Sequence, residues 1–221
     1  NAILGFGTLI QDRMKEDDPN ASYLKEIIRA GERATLVTRG LLAFSRKQAI
    51  DTKPVNINDI VSGVGRMLSR VIGEDIELRT RLSDKSLTVM ADYGQIEQVL
   101  MNLATNARDA MPDGGILGIE TKAAELDHGY IKAHGYGNPG LYALISVADT
   151  GTGMDEKTKE RIFEPFYTTK KRGTGLGLLI VQRIVRDHGG RIELDNQVGR
   201  GATFRIWLPL HERLPRLLGM Q

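Results

Sequence analysis

The 221-residue chain contains no cysteine. That excludes disulfides, Cys-ligated zinc and a thiol nucleophile, and leaves the redox compartment open. No apolar run approaches the roughly 18 residues of a membrane-spanning helix, and the chain opens on no signal peptide. Charge of one sign is missing too. Lys and Arg total 30 against 28 Asp and Glu, a net +2, so no broad basic face is forced and nucleic acid is not indicated as a partner. Aromatics make up 5%, with a single tryptophan, Trp207, that reads as core. The four histidines, His128, His134, His188 and His211, form no H-E-x-x-H and sit beside no plausible metal partner. A G-x-S-x-G serine elbow and a G-x-x-x-x-G-K-[ST] phosphate loop are also absent. The chain begins Asn1-Ala2-Ile3-Leu4-Gly5-Phe6, without Met and already in helical rhythm, which points to a start inside an element.

What is present is ordinary in bulk: 41% hydrophobic and 26% charged residues, which excludes collagen, a disordered tail and a disulfide scaffold. Residues 1–48 read as a helical hairpin. Ile3, Phe6, Ile10 and Met14 share a face, Asp17-Asp18-Pro19-Asn20 makes a turn, and Leu24, Ile27, Ile28, Gly31, Ala34, Thr35, Thr38, Leu41 and Leu42 continue a near-heptad stripe. Two helices bury little alone, so either a second copy completes a four-helix bundle or the hairpin packs on its own domain. Residues 49–57, with Pro54, read as a linker into a short strand. Asn58 is a candidate cap for a helix running to Ile72.

Strands follow at Ile76–Leu82 and Leu87–Met90. Asp92–Met111 is a strongly patterned helix, with Ile96, Val99, Leu100, Leu103, Ala107 and Ala110 on one side. Further strands at Ile116–Ala124 and Leu141–Ala148 flank a long loop. Residues 150–174 show no strong period, Leu176–His188 is helical, and Arg191–Leu194 and Ala202–Leu208 close the chain as antiparallel neighbours. The expected class is α+β, one sheet covered by helices. His188, closing a helix before Gly189, reads as a structural cation at a helix C-terminus.

Four segments carry chemistry. Asn102, Asn106 and Asp109 fall at i, i+4 and i+7 on one side of a helix. Such oxygens can hold a hydrated Mg²⁺, or the face is simply polar and solvated. Asp149-Thr150-Gly151-Thr152-Gly153-Met154 ends an apolar strand in a glycine turn. A carboxylate there accepts from an amino group such as that of adenine, or the residues make an ordinary strand-to-turn junction. Phe163, Phe166 and the cations Lys170, Lys171 and Arg172 suggest a lid that docks in the core and meets phosphate, or a surface loop with an aromatic staple. Gly173-Thr174-Gly175-Leu176-Gly177-Leu178 precedes a helix and frees backbone N–H groups for an anion. Leu178 breaks the G-x-G-x-x-G dinucleotide pattern.

In this order and spacing the four segments resemble the N box, first glycine box, F box and second glycine box of bacterial sensor histidine kinases, over residues 55–209. That domain belongs to the wider group containing gyrase, MutL and the ninety-kilodalton heat-shock chaperone. Leu41-Leu42-Ala43-Phe44-Ser45-Arg46 is similar to the end of the family's dimerisation and phosphotransfer hairpin, and Asn106-Ala107-Arg108-Asp109-Ala110-Met111 to its nitrogen-regulator branch.

The resemblance implies a hairpin (1–48) forming a dimeric four-helix bundle and a linker (49–57). An ATP-binding domain (58–210), an α/β sandwich of the Bergerat type, and a tail (211–221) follow. It implies Mg²⁺ and ATP as cofactors, with Asn102, Asn106 and Lys170 catalytic and Asn106 the metal ligand. Asn106, Asp109, Asp149, Gly151, Gly153, Lys170, Gly173, Thr174, Gly175, Leu176 and Gly177 are the expected nucleotide contacts. Phe163 and Phe166 are expected to anchor the lid. The implied partners are a second copy through residues 1–48 and a response-regulator receiver domain. The implied location is cytoplasmic, with membrane contact only through segments outside the chain. The family's acceptor His and the acidic residue after it have no counterpart among residues 1–221. Related ATPases carry Glu where this chain has Asn102; an amide is no general base near neutral pH, which favours a kinase over a hydrolase. An ATPase clamp, a serine kinase of the same fold and a non-catalytic dimer scaffold are the competing readings.

Overall fold

The computed structural model describes residues 2–11, 13–14, 18–28, 30–31, 50–127, 129, 138–170 and 173–211. The chain divides into two compact units, Asn1–Ala49 with Phe166–Leu176, and Ile50–Pro165 with Gly177–Gln221.

In the first unit, helix α1 (Ala2–Gln11) is followed by helical residues at 21–28 and 30–31. Asp18 starts the second run: its carboxylate accepts from Asn20 N at 2.8 Å and its carbonyl from Ala21 N at 3.0 Å. The two helical runs meet at Gly7, where a Cβ would lie 2.8 Å from Ile28 Cγ1. Phe6 (67% exposed), Leu9, Ile10, Tyr23 and Ile27 are turned outward. The Leu41–Arg46 segment and the stripe from Ala34 to Leu42 lie outside the described residues.

The second unit is layered. Strands β2 (Ile76–Arg81), β4 (Gly115–Leu126), β5 (Gly140–Asp149), β7 (Gly201–Pro209) and β6 (Arg191–Gln197) lie in that order in one sheet. β2 runs parallel to β4 and every other pair is antiparallel. Alternation decides the faces. Ala143, Ile145 and Val147 of β5 and Phe204, Ile206 and Leu208 of β7 join the main core. Tyr142, Leu144, Leu126 and Trp207 form a smaller buried cluster apart from it.

Three helices add stripes at helical spacing to the main core. They are α2 (Ile57–Val71) with Ile60, Val64 and Leu68, α3 (Tyr93–Ala110) with Ile96, Val99, Leu100 and Leu103, and α5 (Gly177–Asp187) with Val181, Ile184 and Val185. A short helix, α4 (Glu156–Arg161), was not anticipated: its polar sequence carries no apolar period, and Asp155 starts it by accepting from Thr158 N at 2.8 Å.

Three expectations are corrected. The strands form a second sheet: β1 (Lys53–Asn56) pairs antiparallel with β3 (Thr88–Ala91) as a separate two-stranded ribbon. Alternation marks strands without naming their partners, and Pro54 suits a strand paired on one side only. The cap of α2 is Asn56, not Asn58. Asn56 Oδ1 accepts from Asn58 N at 3.2 Å and Leu87 N at 3.1 Å. Asn58 instead donates to Ser83 O and Lys85 O and accepts from Thr121 Oγ1 at 2.6 Å. Finally, His188 is no helix-end cation. Its Nε2 accepts from Asp92 N at 3.0 Å, which requires an unprotonated nitrogen, and its Nδ1 lies 2.7 Å from Ile184 O. The neutral ring is buried and links the end of α5 to the start of α3.

Candidate functional site

Asp149 ends β5 half-buried, and the ladder carries on past it: Thr150 N donates to Ile116 O at 3.2 Å and Ile116 N to Thr150 Oγ1 at 3.0 Å. One carboxylate oxygen, Oδ1, accepts from Gly151 N at 2.9 Å and Ala202 N at 3.3 Å. The other, Oδ2, accepts no hydrogen bond among the described residues. The backbone thus fixes the group by one oxygen.

Burial pushes the Asp149 carboxyl above its ordinary 3.8, and the two backbone hydrogen bonds pull it partly back. A carboxyl raised in the folded state is a stability cost above its folded pKa, and the cost is relieved as pH falls through that value. Ligand binding runs the other way, because the acceptor is lost on protonation. Affinity for an amino-bearing ligand should therefore fall about tenfold per pH unit on acidification, with its onset above the ordinary 3.8. Calorimetric titration across pH checks this, and an onset at or below the ordinary value contradicts it.

Glycines shape the surroundings by close approach. A Cβ on Gly151 would lie 2.6 Å from Ala110 O and 2.8 Å from Ala110 Cβ, so the loop sits against the end of α3, and Thr152 N donates to the same carbonyl at 3.0 Å. Gly153 (φ 65°) backs onto the carbonyl of Gln197 and Gly201 (φ 93°) onto that of Asp149. Gly199 N donates to Thr152 O at 2.7 Å. Asn196 closes two hydrogen bonds with Met154, accepting from its N at 2.8 Å and donating to its O at 2.7 Å. Sequence reasoning missed Asn196 and Gly201. The only local signal was the Gly199-Arg200-Gly201 break between two strands.

On α3, Asn102 and Asn106 are half-buried. Asn102 Nδ2 is fully buried with no hydrogen-bond partner among the described residues, and its Oδ1 lies 3.7 Å from where a Cβ of Gly177 would stand. A buried unpaired amide donor costs about 1–3 kcal/mol, and no described residue offsets that cost here. Asp109 is more exposed and pairs with Arg108 at 3.0 Å, while Arg108 also donates to Val71 O at 3.2 Å. Among the described residues no group of three His, Asp or Glu could hold a metal. A metal here would draw on the amide oxygens of α3 and on ligand oxygens, the hard donors Mg²⁺ prefers.

The structure brings Asn102, Asn106, Asp109, Asp149, Gly151, Gly153 and Gly177 into one unit. Lys170, Gly173, Thr174, Gly175 and Leu176 belong to the other. There, Phe166 N donates to Gly175 O at 3.1 Å, and Lys170 lies in a turn, its N donating to Thr168 Oγ1 at 3.1 Å and its O accepting from Gly173 N at 3.2 Å. Gly175 (φ 67°) would bring a Cβ within 2.6 Å of Phe166 Cα. Lys171 and Arg172 lie outside the described residues. Phe163 packs against the core of its own unit. Phe166, in the other unit, is 50% exposed and has a positive φ of 65°.

A half-engaged carboxylate, a glycine-lined approach and an orphaned amide together fit an adenine nucleotide. Residues 91–212 match the family described as histidine kinase-, DNA gyrase B- and HSP90-like ATPase. The chain is 40% identical over 94% of its length to the sensor kinase CckA of Brucella abortus (strain 2308), and spans 22% of that protein. It is similar to the catalytic domain of histidine kinase ThkA, with 31% identity, TM-score 0.58, and coverage of 72% of this chain and 95% of that one. Full-length ShkA, crystallised with AMPPNP, matches at 27% identity and TM-score 0.68 over 97% of this chain and 44% of that one. ThkA in complex with the response regulator protein TrrA matches at 26% identity and TM-score 0.67, over 95% of this chain and 57% of that one. The chain belongs to the histidine kinase-, DNA gyrase B- and HSP90-like ATPase family, and its second unit has the catalytic ATP-binding fold of the bacterial sensor histidine kinases.

Proposed function

We propose that the chain is the phosphoryl-donor core of a two-component protein-histidine kinase. It transfers the γ-phosphoryl of ATP to a His of a dimerisation hairpin, other than its own four, for relay to an Asp of a response-regulator receiver. The observation that carries this is Asp149, held by Oδ1 with Oδ2 left for a donor. Oδ2 accepts from the adenine amino group. Gly151 and Gly153 let the backbone lie against the base. Asn102 donates its orphaned Nδ2 to a nucleotide oxygen or to metal-bound water. Asn106 is the direct Mg²⁺ ligand, supported by Asp109. Lys170, Gly173, Thr174, Gly175, Leu176 and Gly177 serve the phosphates. When bound, Mg²⁺ supplies charge neutralisation at the transferring group.

The crystallised ThkA complex with a response regulator supports the receiver as partner. The outward apolar side chains Phe6, Leu9, Ile10, Tyr23 and Ile27 support a second copy docking through residues 1–48. We assign residues 58–210 to the catalytic domain and, from the likeness to sensor kinases, the chain to the cytoplasmic side. His188 is no acceptor candidate, being buried between Asp92 and Ile184.

With Asn at position 102 no carboxylate there activates water, so steady-state ATP hydrolysis should run on the order of 10⁻³ per second or slower. A coupled phosphate-release assay reads this. Turnover above about one per second, abolished by Asn102→Ala, would reassign the chain to the ATPase clamps.

A further inference from the structure

Asn196 lies on β6, an edge strand of the five-stranded sheet, 42 residues from Met154. Its amide nevertheless meets both backbone groups of Met154, accepting from N at 2.8 Å and donating to O at 2.7 Å. A side chain that satisfies both polar groups of one distant residue acts as a fragment of strand, holding that residue in place and orientation. Met154 lies on the loop from Asp149, just before Asp155, which caps α4.

The same hairpin grips that loop at three further points. Gly199 N donates to Thr152 O at 2.7 Å, Gly153 stacks on the Gln197 carbonyl, and Ala202 N donates to Asp149 Oδ1 at 3.3 Å. The β6–β7 hairpin therefore contributes directly to the orientation of the Asp149 carboxylate through Ala202 N on β7, although no residue of the hairpin is needed to touch the base.

We propose, taking adenine recognition at Asp149 as given, that Asn196 is a positioning residue for base selectivity. By locking Met154 it fixes the 149–154 loop against the 196–202 turn, and so aims Asp149 Oδ2 at an amino group. Adenine presents such a donor where guanine presents a carbonyl oxygen. Loosening the loop should cost adenine its advantage, while the metal- and phosphate-directed residues on α3 stay in place.

The test titrates the full chain with AMPPNP and with the corresponding guanine analogue, both with Mg²⁺, well below every melting temperature. Asn196→Ala should weaken adenine binding about tenfold, the scale of two lost hydrogen bonds, and leave guanine affinity within about twofold. Asn196→Ser, which retains a hydroxyl able to make one of the two bonds, should fall between. Leu126→Ala, in the cluster beside Tyr142 and Trp207, should lower the melting temperature without changing the adenine-to-guanine ratio. An unchanged ratio in Asn196→Ala overturns the proposal. So does an equal loss of ratio in Leu126→Ala, which would make the effect one of general stability. Absence of binding by the unaltered chain would overturn adenine recognition itself.

Discussion

Asp149→Asn should weaken binding of an adenine nucleotide about a hundredfold and leave the fold intact. The asparagine keeps an Oδ1 that can accept from Gly151 N and Ala202 N, as the carboxylate does at 2.9 and 3.3 Å. The atom facing the ligand changes from an acceptor to an NH₂ donor, which meets the adenine amino group donor to donor. A hydrogen bond to a charged group contributes about 1.5–3 kcal/mol, and an unsatisfied donor left behind adds a similar penalty. About 2.7 kcal/mol corresponds to a hundredfold in Kd. Because guanine offers an acceptor at the same position, the substitution should narrow or reverse the preference for adenine. Titration calorimetry with both nucleotides checks this, and circular dichroism confirms the fold. A variant binding adenine within twofold of the parent would place the base elsewhere.

The largest stability effect is expected at Gly201. Its φ of 93° is unfavourable for any side chain, and a Cβ would fall on the carbonyl of Asp149. That carbonyl is backbone and cannot swing aside. Gly201→Ala should therefore cost about 3–4 kcal/mol from strain and overpacking together, a fall in melting temperature of about 10 °C for a domain of this size. Gly199 is the internal control. Its φ of 75° is also positive, but no described residue lies within 4 Å of its added Cβ. Gly199→Ala should cost only about 1 kcal/mol, the backbone share alone. If both substitutions shift the thermal transition equally, steric approach to Asp149 is not what requires glycine at 201.

How much could be read beforehand depended on the range of each signal. Helix α3 was legible almost to the residue, because its apolar spacing and its cap at Asp92 are local. The carboxylate and glycines of the 149–153 segment were legible as residue types for the same reason. Their geometry was not. Oδ1 is engaged by Ala202 N from another strand, and Met154 is held by Asn196 across 42 residues. A polar residue on an edge strand has no pattern that marks it. The cap of α2 failed for a related reason. Asn56 and Asn58 are both acceptable caps, and the choice falls to Ser83, Lys85, Leu87 and Thr121, all distant in sequence. Sheet membership of β1 and β3 likewise follows from partners, and α4 from a single capping aspartate rather than from periodicity.

Recognition of adenine by Asp149 is the claim on which phosphoryl transfer depends. Its most direct measurement is a calorimetric titration of the unaltered chain with AMPPNP and Mg²⁺, beside the guanine analogue at the same concentrations. Saturable binding of the adenine compound with at least about tenfold preference over guanine is the predicted result. Equal binding of the two, or none of either, would contradict it.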